Sequence, residues 1–411
     1  MEIPFSPPYI DDDVKKEVAH VLESAWITTG HKTQAVAKLL SEKVRVDHVL
    51  CCNSATSGLL LALHWFGVTK GDEVIIPSYT YAATALAVMH VGATPVMVDV
   101  ASDFNISVEK IREKITGKTK AIIPVDVAGW PCDYDELYSL VNDSGLRQLF
   151  IPRGDVQEML GRMLILADAA HSIGALYKNK PSGKLADISV FSFHAVKNVT
   201  TAEGGAICIN LPPPFENQKV YEQMKLWTLN GQTKDAFSKT NGKEWRYDIV
   251  YPGYKMNMPD ICAAIGLAQL RKYDSFILPA RRQIFTQYIE AFSKFDWAEL
   301  PYLENEHKQS ACHVFALRIH KITEEMRDEM ISAIMEEGVS VNVHFQPLPM
   351  LTVFRERGHA IKDHPVAFHN YSREISLPVY PGLDPGQVEY VISVVAKAYH
   401  SVNRFHAKAN S

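Results

Sequence analysis

Seven short apolar runs constrain this chain more than any other feature: each is short for a helix and closes on small, polar or turn-forming residues. They occupy residues 49–52, 73–77, 95–98, 121–125, 163–167, 188–193 and 206–209. Runs of this length, bounded by turn residues, predict buried strands. They alternate with helical segments, a pattern that predicts a mainly parallel α/β sheet. In such sheets ligands bind beyond the carboxyl ends of the strands.

Two of those ends carry reactive groups. Run 163–167 delivers Asp168, followed by Ala169, Ala170 and His171. Run 188–193 contains Ser192 and leads through a short polar loop to Lys197. An amine that can form an imine and a carboxylate that can face a ring nitrogen are what a pyridoxal phosphate (PLP) site needs. A surface lysine and a helix-capping aspartate account for the same residues, and this stretch by itself leaves both readings open. The separation of 29 residues between Asp168 and Lys197 leaves room for a helix and one strand, so both groups can end at the same sheet edge.

Earlier in the chain, Asn53-Ser54-Ala55-Thr56-Ser57-Gly58 joins the first run to an apolar helical segment. Free N–H groups at a helix start, with Ser and Thr hydroxyls, make a phosphate cradle; ordinary N-capping explains the same residues. The segment lacks the Gly-x-x-x-x-Gly-Lys pattern of a P-loop, and no Gly-x-Gly-x-x-Gly follows the first strand, which disfavours a Rossmann NAD enzyme. Tyr81, after run 73–77, is placed to stack on a planar ring or simply to pack. Thr29 and Gly30, in a turn after the helical segment 11–25, are open to substrate contact or to a plain turn role.

Composition bounds the partners. The 411 residues carry a formal net charge of −5, which gives no electrostatic reason to expect nucleic acid or an anionic membrane. The uncharged stretch 74–98 is interrupted by Pro77, Pro95, Gly92 and His90, and reads as strand, helix and strand rather than a membrane span. The start lacks a basic region followed by an apolar one, so no secretory signal is expected. Six cysteines without a Cys-x-x-Cys pair read as reduced core residues, and a cytoplasmic location is expected.

Residues 134–161 read as a polar excursion with one helix, over 135–141, and a looser segment over 150–157. Residues 221–260 are irregular. An apolar helix over 261–270 and another over 278–295 lead to a strand at 313–319, a helix at 323–337, strands at 339–345 and 375–378, and a helix capped by Asp384. A large domain over 1–260 and a smaller α/β domain over 261–411 are expected.

Taken together, Trp26-Ile27-Thr28-Thr29-Gly30, Asp168-Ala169-Ala170-His171, Ser192-Phe193-His194-Ala195-Val196-Lys197-Asn198, Pro252-Gly253-Tyr254-Lys255-Met256-Asn257 and Ser376-Leu377-Pro378-Val379-Tyr380-Pro381-Gly382 resemble the DegT/StrS family of nucleotide-sugar aminotransferases over nearly the whole chain. The resemblance implies a fold-type I PLP enzyme, active as a homodimer with shared sites. It implies that Lys197 is the Schiff-base lysine and proton shuttle, that Asp168 partners the pyridine nitrogen, that Tyr81 stacks on the ring and that His171 lies near the 3′-oxygen. Ala55, Thr56 and Ser192 then cradle the phosphate, Asn257 reaches the phosphate of the neighbouring subunit, and His344 lies close to substrate. The implied reaction moves an amine from an amino acid, glutamate being expected, to a UDP- or dTDP-linked 4-keto-6-deoxy sugar, for surface polysaccharide, glycan or secondary-metabolite synthesis.

The chain departs from the family where Ala55 replaces a frequent Gly, and where Asn230 and Pro349 replace frequent His residues. These departures bear on donor and sugar contacts more than on the PLP chemistry. Related sugar dehydratases carry His at the lysine position, whereas Lys197 stands here. A non-catalytic sugar-binding or regulatory protein on the same fold is disfavoured by the intact Lys197 and Asp168.

Overall fold

A computed structural model describes residues 1–234 and 246–409; part of the irregular stretch expected over 221–260 lies outside the described residues. The seven runs form one sheet: β1 (His48–Cys52), β2 (Glu73–Pro77), β3 (Thr94–Val98), β4 (Thr119–Ile122), β5 (Leu164–Asp168), β8 (Ile188–Ser192) and β9 (Gly205–Ile209); the short strands Leu176–Tyr177 (β6) and Lys180–Pro181 (β7) lie outside it. Their spatial order is β1-β9-β8-β5-β4-β2-β3. Only β9 runs against its neighbours; it pairs antiparallel with β1 and β8, and the remaining pairs are parallel. The ends of β1, β2, β4, β5 and β8 therefore open on one edge, where the start of β9 meets them.

Buried parallel strands read as near-continuous apolar runs because helices cover both faces. Here β5 and β8 are buried along their whole length, and so is the antiparallel β9. The helix α3 (Ala55–Trp65) leaves β1 and packs across the sheet, and Gly58 permits the approach, since a Cβ there would stand 2.7 Å from Val190 Cγ1. The helices α1 (Asp12–Glu23) and α2 (His31–Val44) pack with the apolar helix Asp260–Arg271, and the latter two join the core that covers the opposite face.

The link from β5 to β8 contains no α-helix, contrary to expectation. It forms a hairpin, β6 (Leu176–Tyr177) and β7 (Lys180–Pro181), followed by a single 3-10 turn over Ser182–Lys184. The two hairpin-tip residues, Lys178 and Asn179, both take positive φ (48° and 61°), as a two-residue primed turn requires. Gly174, Pro181 and Gly183 leave little room in the segment for a helix. Residues 134–161 hold three short helices rather than one: Tyr134–Asn142, Ser144–Leu149 and Asp155–Leu160. The last of these overlaps the segment expected to be loose; its first turn carries Asp155 and Glu158, and Gly161 ends it at positive φ.

The C-terminal body is a three-stranded antiparallel sheet, β10 (Ala298–Glu299), β12 (Phe315–Ile319) and β13 (Glu374–Leu377), backed by the helices Leu278–Phe292, Glu324–Glu336 and Pro385–Ala409; β11 (Lys308–Gln309) pairs instead with β6. The strand expected over 339–345 is reduced to two bridges, Val339 with Ile3 and Asn342 with Ser376. Ile3 thus belongs to the C-terminal core. Because the helix Asp260–Arg271 packs with α1 and α2, while Ile284, Phe285, Tyr288 and Phe292 enter the C-terminal core, we propose a domain boundary near 277 rather than at 260. None of the described helices is long and apolar enough to cross a membrane.

Candidate active site

The strand ends enclose a cavity of about 460 Å³. Ser54, Ala55 and Thr56 reach it from the start of α3, and Thr80 and Tyr81 from the end of β2. Asp168 and His171 enter after β5, Ser192 and Lys197 from β8 and its loop, and Glu203 and Gly204 from before β9. His344 and Phe345 of the C-terminal body close it. The structure therefore brings together eight of the expected site residues: Lys197, Asp168, His171, Ser192, Ala55, Thr56, Tyr81 and His344.

Lys197 is the single lysine among the cavity's lining residues. Burial pushes its ammonium down to about 8, against the opposing pull of the Asp168 charge. A lysine whose free amine exists near neutrality serves both as nucleophile and as acid or base.

Asp168 ends β5, nearly buried. Its Oδ2 accepts from the hydroxyl of Thr84 at 2.8 Å, and its Oδ1 from the N–H of Ala170 at 3.3 Å. Burial raises its pKa; the Thr84 and Ala170 bonds and the Lys197 charge oppose the rise without cancelling it. Burial thus works against the ionised form, and a protonated ring nitrogen beside Asp168 would favour it.

His171 is buried, and its Nδ1 accepts from the Ala128 N–H at 3.3 Å. Burial and the Lys197 charge hold its pKa well below the ordinary value. The ring is therefore neutral with its proton on Nε2, a donor suited to a ring oxygen.

At the opposite wall Ser54 caps α3, its Oγ accepting from the Ser57 N–H at 3.1 Å. The first-turn N–H groups of Ala55 and Thr56 have no intrahelical acceptor, and they point where an anion is favoured. Gly205 keeps this wall open: a Cβ there would stand 2.7 Å from Ala55 N and Ser54 C, and 2.8 Å from Phe191 O. An anion cradle, a buried carboxylate that a ring cation would favour, a neutral imidazole donor and an amine of lowered pKa in one cavity match the chemistry of PLP part by part.

Three expected site residues lie outside the cavity of one protomer. Asn257 Nδ2 donates to Thr29 Oγ1 at 2.6 Å, and Thr29 Oγ1 donates to Met258 O at 2.7 Å. Gly30 N donates to Asp260 Oδ1 at 2.8 Å, where the same carboxylate accepts from Thr33 N and so caps α2. Gly30 is further required because a Cβ there would stand 2.3 Å from Trp26 Nε1.

Sequence reasoning missed a second layer. Asn198, beside Lys197, accepts at Oδ1 from Arg281 Nε at 2.9 Å, and the same oxygen lies 2.9 Å from His313 Nδ1. The His313 ring lies 4.3 Å from that of His171, centroid to centroid. Arg281 is 2% exposed, and burial pushes its guanidinium down to about 10. Its other hydrogen bonds run to carbonyls, Val379 O at 2.6 Å and His313 O at 3.5 Å. The sequence signal for Asn198 was its adjacency to Lys197; Arg281, in a helix with a polar face, gave none.

The fold and cavity define a PLP-dependent aminotransferase, and comparison with known proteins agrees. The DegT/DnrJ/EryC1/StrS aminotransferase family model matches residues 8–150 and 156–396. The chain is 35% identical over 403 residues to the uncharacterised protein MJ1066 of Methanocaldococcus jannaschii, covering 96% of this chain and 97% of the relative. It is 33% identical over 399 residues to the spore coat polysaccharide biosynthesis protein SpsC of Bacillus subtilis, covering 96% of each. Among solved structures, Spr1654 of Streptococcus pneumoniae, described as a sugar aminotransferase, superposes in its PMP form with a TM-score of 0.94 at 38% identity, covering 99% of this chain and 100% of that one. PseC of Helicobacter pylori, an aminotransferase involved in pseudoaminic acid biosynthesis, gives 0.85 at 27% identity, covering 98% and 100%. The chain belongs to the DegT/DnrJ/EryC1/StrS aminotransferase family and is a PLP-dependent enzyme of the sugar-aminotransferase type.

Proposed function

We propose that this enzyme transfers an amine from an amino acid, glutamate being the expected donor, to the ketone of a nucleotide-linked 4-keto-6-deoxy sugar. The observation that carries the reading is the single lining lysine, held near a pKa of about 8 and paired across the cavity with a buried carboxylate. Its resemblance to SpsC and PseC, named for polysaccharide and pseudoaminic acid biosynthesis, supports an amino sugar destined for a surface glycan.

When bound, PLP supplies an electrophilic carbon and an electron-withdrawing ring. Ala55 and Thr56 N–H groups with the hydroxyls of Thr56 and Ser192 bind the phosphate. Asp168, fixed by Thr84, favours a proton on the ring nitrogen. His171 would donate from Nε2 to the ring oxygen, and Tyr81 would cover one face of the ring. Lys197 would hold the cofactor covalently and, as a free amine, would take up and give back the proton that the reaction moves.

The site is proposed to be shared between two copies. Tyr81 is 65% exposed at the cavity in one protomer, and Ile249 and Val250 are exposed at 52% and 55%; Thr29, Gly30 and Asn257 would serve the partner's cavity. Incubation with a panel of UDP- and dTDP-linked 4-keto sugars and glutamate, with product identified by mass and NMR, tests the assignment. An amino sugar supports it; formation of a deoxy product without nitrogen, or no turnover across the panel while the donor half proceeds, overturns the acceptor class.

A further inference from the structure

Behind His344 lies a chain of polar groups that the cofactor site does not use. Glu374 and Ser376 sit on β13, bridged there to Asn342. The Ser376 hydroxyl lies 2.9 Å from His344 Nδ1 and is also hydrogen-bonded to Glu374 Oε1. The other carboxyl oxygen, Oε2, accepts from the His344 N–H at 3.1 Å. The ring itself is fixed: Phe5 stacks on it at 5.4 Å, and Tyr79 Oη donates to the His344 carbonyl at 2.7 Å. Nδ1 faces the relay, which leaves Nε2 for the cavity that His344 lines.

A hydroxyl between an imidazole and a carboxyl supports two proton arrangements. With the carboxylate ionised, Ser376 donates to Glu374 and accepts from Nδ1–H, so Nε2 is a bare acceptor. With the carboxyl protonated, Glu374 donates to Ser376, Ser376 donates to Nδ1, and Nε2 carries the proton. We propose that Glu374 and Ser376 are positioning residues that set whether His344 offers the cavity a proton donor or a proton acceptor. A proton taken up at Nε2 sends the Nδ1 proton to Ser376 and the hydroxyl proton to the carboxylate. At each atom one N–H or O–H bond forms as another breaks, and the net result is one proton stored on Glu374 with a neutral imidazole.

The surroundings suit this. Glu374 is fully buried, and burial pushes its carboxyl up to about 8 despite the charges of Arg327 and Arg318. Burial and the Lys197 charge push the His344 imidazolium down to about 4, so the ring is neutral in both arrangements. The groups facing the relay are Tyr79, Arg318 and Arg327 on the Glu374 side, and Lys197, His171 and His313 on the cavity side. The use of the proton in turnover rests on the aminotransferase reading; the arrangement itself does not.

Histidine-labelled (15N) protein without substrate, observed through two-bond 1H–15N correlations, reads the tautomer directly, and the His344 signals are those lost in His344→Gln. Wild type is expected to show Nε2–H below about 8 and Nδ1–H above it. Glu374→Gln must keep its oxygen toward the His344 N–H and its NH₂ toward Ser376, so it is expected to hold Nε2–H on both sides. Ser376→Ala is expected to abolish the switch and Ser376→Thr to retain it, and this pair decides if Glu374→Gln does not fold. A wild-type tautomer that never changes, or a Glu374→Gln that still switches, overturns the proposal. Failure of the aminotransferase reading would show separately, as an absent response to amino donors with the tautomer switch intact.

Discussion

Thr84 offers a sharp test of how the site tunes its carboxylate. It is fully buried in the helix Ala83–His90, and its hydroxyl donates to Asp168 Oδ2 at 2.8 Å. A hydrogen bond to a charged group contributes about 1.5–3 kcal/mol, and one pKa unit corresponds to about 1.4 kcal/mol. Thr84→Val, nearly isosteric, should therefore raise the Asp168 pKa by about one to two units beyond the rise that burial already imposes. Removing a donor penalises the ionised form, so the acid limb of the kcat profile should move to higher pH by that amount. Thr84→Ser, which keeps the hydroxyl, should restore it. The assay is kcat against pH for the three proteins at equal PLP content. A Val variant with wild-type turnover and an unmoved acid limb would refute the account of Asp168.

Two further outcomes follow from the same geometry. Because burial holds the Lys197 ammonium near 8 rather than 10.5, the rate at which PLP-free enzyme turns yellow on adding PLP should rise with pH about a midpoint near 8; a midpoint at the ordinary lysine value would contradict the burial argument. Gly205→Ala places a Cβ within 2.8 Å of three backbone atoms, two of them in the phosphate wall, a strain of about 1–3 kcal/mol; PLP affinity measured by titration should fall about tenfold or more, and an unchanged affinity would show that the cradle is not there.

The sheet was legible in the sequence because strands covered by helices on both faces must be apolar almost throughout, as runs 163–167 and 188–193 are, and the antiparallel run 206–209 is buried in the same way. Lys197 and Asp168 were legible as reactive groups at strand ends, although the residues alone left a plain alternative open. Other parts were hidden for physical reasons. The hairpin 176–181 consists of two-residue strands, too short for any period to show. The segment 339–345 alternates like a strand, but among the described residues it forms β-bridges only at Val339 and Asn342. Thr84 reads as an ordinary helix residue, because only the fold sets its hydroxyl against a carboxylate 84 positions away. Nothing in a helix or strand pattern marks Arg281 or Glu374 as special, yet both are buried and act through carbonyls, an amide and a hydroxyl.

The central claim is that Lys197, in this cavity, is the amine through which PLP works. Visible absorbance of the purified protein with PLP, followed as glutamate and other amino acids are added, tests it most directly. The wild type should be yellow and should bleach with a donor, and Lys197→Ala should give no turnover with donor and keto-sugar. A colourless wild type that ignores added PLP, or a Lys197→Ala protein with full turnover, would contradict the account.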